Sequence, residues 1–307
     1  MTHTERDSFN RWLKGIPYEI AFWKSYYGHK SSLEQLFSWS SYGEECQLDN
    51  FDIQAYAASC PGKPRFVDLG CSLSYTFGTE FPSKPVCIER IDPLATFYNR
   101  ILDKSRIDRP KIKFGMIENI STIYEPGSID LIHIRNALDH CANPMLGIIE
   151  CLACLRNGNN EGAGGGILYL HHHRNEAEGE AYRGFHQYNI DSRNGQLVLW
   201  NRDACIDVAD ALKGIATVQC SVTEHNHIVA VIQKTGSVPP SMHSPEASAR
   251  RAAEMLEMTI KAFNSPLFAL KYHMAVFTSS LAHPVMRRIP RRLVDTLKAF
   301  LAKRHHT

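Results

Sequence analysis

Arg65-Phe66-Val67-Asp68-Leu69-Gly70-Cys71 reads as a short buried strand ending at a glycine. Val86-Cys87-Ile88-Glu89-Arg90-Ile91-Asp92 is a second strand pattern, ending in an acid about twenty residues beyond the first turn. Ser128-Ile129-Asp130-Leu131-Ile132-His133-Ile134 is a third, and it runs into Arg135-Asn136-Ala137-Leu138-Asp139-His140. Short, nearly continuous apolar runs of this kind suit strands covered on both faces, as in a parallel sheet flanked by helices.

Working outward, strands are expected at 65–69, 86–91, 111–114, 129–134, 166–171, 216–222 and 227–233. Helices are expected near 73–80, 94–103, 143–155 and 203–213. This alternation indicates a mainly parallel sheet. The last two strands are separated only by a turn around Glu224-His225-Asn226, too short for a parallel crossover, so they must pair antiparallel. Pro61-Gly62-Lys63-Pro64 and Val238-Pro239-Pro240-Ser241 punctuate the chain on either side. Three segments follow: a helical, aromatic-rich stretch 1–60, a core 61–236 and a basic helical extension 237–307. The first holds Phe9, Trp12, Tyr18, Phe22, Trp23 and Tyr26, suited to packing over the core or closing a pocket as a lid. In the third, Ser244-Pro245-Glu246 has the form of a helix start, and Ala249, Ala252, Leu256, Ile260 and Phe263 recur at helical spacing.

The 307 residues suffice for a full core, with 44% hydrophobic and 21% charged content. No apolar run is long enough for a membrane-spanning helix, and the first seven residues are too polar for a signal peptide. Nine scattered cysteines fit a reducing, cytoplasmic setting. Cys151 and Cys154 have Cys-x-x-Cys spacing, but no second ligand pair follows at zinc spacing.

The order of these strands, with Asp68-Leu69-Gly70 after the first and Asp92 after the second, resembles the class I S-adenosylmethionine-dependent methyltransferases over about residues 60–235. The resemblance implies a Rossmann-like, mainly parallel sheet with an antiparallel edge hairpin, between helical N- and C-terminal extensions. It implies S-adenosyl-L-methionine as cofactor, held by Asp68, Gly70, Ser72, Asp92, Glu118, Asn136 and His140. Gly70 lets backbone approach a ligand. Ser72 and Ser74 stand where the family's loop continues with glycines. Asp92 can accept hydrogen bonds from ribose hydroxyls or cap the helix at 94–103. Met116 occupies the place where relatives often keep an acid for adenine, which leaves Glu118 or the amide of Ile117. Asn136, Asp139 and His140 lie beyond the fourth strand, where open α/β sheets bind ligands.

The most unusual run is His171-His172-His173-Arg174-Asn175-Glu176, continuing to His186-Gln187-Tyr188-Asn189. Methyl transfer to a hydroxyl needs a base, and histidine titrates near neutrality. His171, His173, Glu176 and His186 are therefore the catalytic candidates on the acceptor side. On an extended chain His171 and His173 share a face and His172 opposes them. The same four residues form a conceivable metal set, but helical His-x-x-x-His spacing is absent and the transfer needs no metal, so none is expected. Asn136 to His140, Asn175 to Glu178 and His186 to Asn189 together resemble bacterial methyltransferases associated with cell-surface carbohydrate. The expected reaction is O-methylation of a carbohydrate or other small polar acceptor. N-methylation of a small amine and a non-catalytic module retaining the fold are the alternatives.

Residues 236–307 carry eleven Lys and Arg against four Asp and Glu, whereas the remainder carries 23 against 28. The acidic core speaks against nucleic-acid substrates. The basic tail, from Leu267 to Arg304, pairs apolar residues with Arg287, Arg288, Arg291, Arg292 and Lys298, and suits peripheral contact with an anionic membrane surface. A helical extension packed on the core is the other reading.

Overall fold

The computed structural model describes residues 1–28, 30–158, 164–182 and 185–286. Five strands run parallel: β1 (Arg65–Leu69), β2 (Cys87–Asp92), β3 (Lys113–Phe114), β4 (Leu131–Arg135) and β5 (Ile167–His173). A second, three-stranded sheet follows in the chain: β6 (Asn189–Arg193), β7 (Gln196–Trp200) and β8 (Cys205–Asp207). The pair expected at the end is β9 (Ala216–Val222) and β10 (His227–Lys234). The main sheet has the order β3-β2-β1-β4-β5-β10-β9. β10 runs against both β5 and β9, so it is the reversed strand in an otherwise parallel sheet. The fold is a Rossmann-like, mostly parallel seven-stranded sheet flanked by helices, as expected. Chain direction across the sheet switches at β1 and β4, which pair in parallel.

Hydrophobicity explains the layers. β1, β4 and β5 are buried on both faces, with Val67, Leu69, Ile132, Ile134, Leu168 and Leu170 in one core cluster. Phe66, Leu131 and Tyr169 face a second cluster on the other side. Helix α5 (Pro144–Cys154) closes the first cluster; the Asn143 side chain accepts from the Leu146 amide at 3.1 Å, and Pro144 opens the helix. Cys151 and Cys154 are buried free thiols on this helix.

The structure departs from the sequence expectation in two places. No helix forms at 73–80. Ser72 and Tyr75 adopt left-handed backbone (φ 49° and 50°), which interrupts any helix. The chain instead crosses the N-terminal segment, with a bridge between Glu45 and Glu80. A Cβ on Gly78 would sit 2.5 Å from Cys46 Cα, so the crossing requires glycine there. The expected helix at 203–213 shrinks to α7 (Val208–Ala211), and the stretch before it joins the unforeseen second sheet. Asn194-Gly195, both with positive φ, makes the tight turn between β6 and β7.

The terminal helices pack on the rest. α1 (His3–Tyr27) starts with a capping box between Thr2 and Glu5. It buries Phe9, Trp12, Leu13, Ile16, Ile20, Trp23 and Tyr27, one helical stripe, against α4 (Ala95–Ser105) and α9 (Pro266–Met286). α9 runs past Pro284 rather than breaking there. The basic positions from Arg287 onward lie outside the described residues, as does part of the Gly/Asn-rich loop at 156–166.

α8 (Pro245–Phe263) is clamped by a buried acid. Glu150 on α5 is fully buried; its Oε1 receives Arg251 Nη1 at 3.0 Å and the Ser248 hydroxyl, and its Oε2 receives the Ser121 hydroxyl at 2.5 Å. Removing one partner of a buried pair strands the other charge. Glu150→Ala is expected to cost about 3–5 kcal/mol of unfolding free energy by denaturant titration. A cost within a few tenths of that of an exposed substitution would show that α8 is held by apolar contact alone.

Candidate functional site

Asp92, Asn136, Asp139, His172 and His173 gather at the carboxyl ends of β2, β4 and β5. Open α/β sheets place ligands at such a switch point.

The β1 and β2 side is tightly tied. Gly70 has φ 70°, and its N–H donates to the Ile91 carbonyl at 2.8 Å. A Cβ at this position would lie 2.4 Å from Ala137 Cβ. The glycine is therefore required by the close approach of the β4 loop. Asp92 is 5% exposed. Its Oδ2 accepts the Ser72 amide at 3.0 Å and its Oδ1 the Leu94 amide at 2.8 Å. Burial raises its pKa to about 7 despite those two donors. The Ser72 and Ser74 hydroxyls lie 3.0 Å apart.

Asp68 does not join this group. It is buried under the other face, with His133 Nδ1 at 2.8 Å and Arg90 Nε at 4.0 Å. The Arg90 guanidinium in turn lies over the rings of Tyr42 and Tyr75. Glu118 is no surface acid. It is buried, burial raises its pKa, and its Oε1 accepts the Ala142 amide at 2.7 Å.

The loop after β4 joins this side to β5. Asn136 is left-handed (φ 48°), a conformation asparagine tolerates. Its N–H donates to the His171 carbonyl and its Oδ1 accepts the His173 amide, both at 3.0 Å. Asp139 follows in a short 3-10 turn, Leu138–His140, and is 3% exposed. Its Oδ2 receives His186 Nδ1 at 2.7 Å, and His140 Nε2 lies 3.5 Å from the same oxygen. His172 Nδ1 stands 3.9 Å from its Oδ1. Burial alone would raise the Asp139 pKa, but the charges of His140 and His186 and the hydrogen bond from His186 hold it well below the usual range. Burial likewise opposes protonation of His186, yet the hydrogen bond and charge of Asp139 push it up to about 9.

The candidate acceptor-side histidines thus divide. His186 belongs with Asp139, His140 and His172. His171 Nε2 meets His227 Nδ1 at 2.9 Å, and the His173 ring lies 4.4 Å from that of His227. The alternation expected along β5 holds. Burial, with Arg135 nearby, pushes His171 down to about 3, and burial does the same to His172. His173 is exposed and also lowered, first by partial burial. Glu176 opens the short helix α6 (Glu176–Gly179) and acts electrostatically on His186. Sequence reasoning missed His227 and the pairing of His172 with Asp139. The antiparallel pairing of β10 on β5 delivers His227 opposite His173.

Aromatic residues of α1 cover this end of the sheet. Trp12 stacks between Phe9 (5.2 Å) and Phe185 (5.4 Å), one residue before His186. Trp12, Ile16, Ile20 and Trp23 share one apolar cluster with Cys71, Leu73, Leu94, Tyr98 and Met116.

No family model matches the chain, and no curated protein matches it. Among solved structures it is similar to a T. thermophilus 16S rRNA N2 G1207 methyltransferase in complex with AdoMet and guanosine, at 16% identity and TM-score 0.35, over 65% of this chain and 43% of that one. It is similar to the CurJ carbon methyltransferase at 16% identity and TM-score 0.36, over 58% and 50%. A SAM-dependent methyltransferase from Aquifex aeolicus matches at 8% identity and TM-score 0.37, over 60% and 89%. The chain spans half or less of the first two. Strand order and register define the fold.

The buried Asp92 has a consequence for stability. Its pKa is raised from 3.8 to about 7 in the folded state, so ionising it favours unfolding as pH rises across that window. The shift corresponds to roughly 4 kcal/mol at most. Unfolding free energies of the native chain and Asp92→Asn, compared at pH 4 and pH 8, should differ by that order in the variant's favour at the higher pH. A pH-independent difference would mean Asp92 ionises freely.

Proposed function

We propose that this chain is an S-adenosylmethionine-dependent methyltransferase acting on a hydroxyl of a small polar or carbohydrate acceptor. The observation that carries the reading is Asp92. It stands at the carboxyl end of β2, the strand beside β1 and next to the direction switch, and fixes the loop that would hold the cofactor. The residues fit such a ligand. Each Asp92 oxygen accepts a single hydrogen bond from the protein and keeps capacity for a ribose hydroxyl. When bound, S-adenosylmethionine supplies a methyl group activated by its sulfonium.

The protein's part is binding, orientation and proton removal. The backbone at Gly70 and Ser72 borders the methionine end, and Asn136 and His140 border the reacting centre. Glu118 supports the adenine end indirectly, because its carboxylate is already used to hold Ala142. Asp68 serves the core. His173 is the proposed base: it is exposed, its lowered pKa keeps it neutral at pH 7, and Asn136 fixes its backbone. His171 is less suited, since it is buried and hydrogen-bonded to His227. His186 is charged near neutrality, so with Glu176 it orients the acceptor rather than deprotonating it. α1 acts as a lid that must shift for cofactor to reach Asp92, excluding water once it returns. The tail adds peripheral membrane contact through Leu267, Leu270, Met274 and Phe277, all exposed on α9. No described helix is long and apolar enough to cross a membrane.

A non-catalytic module is the second reading, favoured by the covered Asp92 and by serines that bond each other where glycines would admit a ligand. Calorimetry with S-adenosylmethionine and S-adenosylhomocysteine separates the two. The enzyme reading expects binding of both, weakened by about 1–3 kcal/mol in Asp92→Ala. Absence of heat with either ligand leaves the module. With labelled cofactor and a panel of hydroxylated sugars, His173→Ala should lower turnover by about 10²–10⁴ while cofactor still binds. Native turnover in that variant would remove His173 as base. For the tail, co-sedimentation with anionic but not neutral vesicles, lost in high salt, is expected; equal behaviour with both would end membrane contact.

A further inference from the structure

We propose that Asp139, His140 and His186 form a binding site for one divalent transition-metal ion of the zinc type. Each residue offers one ligand atom, and the three atoms lie within 4.8 Å of one another. The two histidine nitrogens stand 2.7 and 3.5 Å from the same carboxylate oxygen. Ligands bound tetrahedrally at zinc distances lie roughly 3.3 Å apart, between those two values. Small side-chain rotations would therefore bring all three to one ion.

The site is built rather than accidental. The Asp139 carbonyl accepts the amides of Gln187 and Tyr188 at 3.1 and 3.3 Å, so the chain around His186 is tied to the turn that carries the other two ligands. The His140 ring rests against Phe185 and His186 at 5.3 and 4.7 Å.

A second observation is independent of ligand spacing. Asp139 Oδ1, His140 Nε2 and both ring nitrogens of His172 are buried without a hydrogen-bond partner. His172 is 1% exposed and Asp139 3%. Four such orphans, one on the carboxylate and three on the histidine rings around it, are unusual in a folded protein. A cation held at Asp139 would give the unpartnered His140 Nε2 a direct bond. In the metal-free chain the His186 hydrogen bond to Asp139 holds the two side chains in place.

Donor chemistry sets the class of ion. Two imidazoles with one carboxylate suit zinc, iron(II) or cobalt(II), whereas magnesium and calcium prefer all-oxygen shells. Three protein ligands leave one position open to water. The site differs from the set suggested by sequence spacing, because His171 and His173 are engaged with His227 instead. It stands whether or not the chain transfers methyl groups.

The test uses the full chain, stripped with chelator and titrated with zinc alone. One ion per chain is expected, with raised thermal stability. Cobalt(II) in its place should give visible bands of tetrahedral intensity. His140→Ala and His186→Ala should each weaken zinc by more than about 100-fold, beyond the 10–100-fold typical of outer partners. His227→Ala should leave binding unchanged. His140 is partly exposed, so its removal spares folding even if the Asp139 variant does not fold. No zinc or cobalt binding at micromolar concentration, or binding lost in His227→Ala but kept in the other two, overturns the proposal.

Discussion

A buried carboxylate must be compensated, and Asp139 organises the polar end of this molecule around that demand. Its side chain draws His140, His172 and His186 from three separate stretches of chain. Its carbonyl holds the two residues after His186. Beside it, Ala137 presses on Gly70, Asn136 splints β4 to β5, and Ala142 hangs from Glu118. The loop between β4 and α5 is thus the hub to which every neighbouring strand end is attached. Low local dielectric makes each of these polar contacts strong and each missing one costly.

The terminal helices repeat the same logic on the flanks. Glu150 is enclosed and satisfied by Ser121, Ser248 and Arg251, which ties α8 to the core. Glu254 on α8 then receives both the N-terminal amine (2.9 Å) and Arg6 (3.0 Å), linking α8 to α1. Those outer pairs are partly exposed and contribute little individually. The apolar stripe of α1 supplies the larger share.

Much of the fold was legible in advance. Parallel strands buried on both faces announce themselves as apolar runs, and β1, β2, β4, β5, β9 and β10 lie within two residues of where those runs placed them. The second sheet is also written locally, in the Asn194-Gly195 turn between Ile190 and the apolar run Leu197-Val198-Leu199-Trp200. The missing helix at 73–80 is different. Local periodicity suits a helix there, but Ser72 and Tyr75 turn left-handed and the chain crosses Cys46 so closely that position 78 must be glycine.

The sequence by itself determined the layered α/β class, the reversed hairpin, the residue types gathered beyond the strand ends and the opposed faces of His171 and His172. These follow from periodicity and chain connectivity, which are local. Tertiary structure alone decided which polar residues are partners. Asp68 went to His133 in the core, Glu118 to the Ala142 amide, His171 to His227 and His186 to Asp139. Those pairings join residues 24 to 65 positions apart. They are set by strand register and by the desolvation of buried charge, neither of which a local pattern encodes.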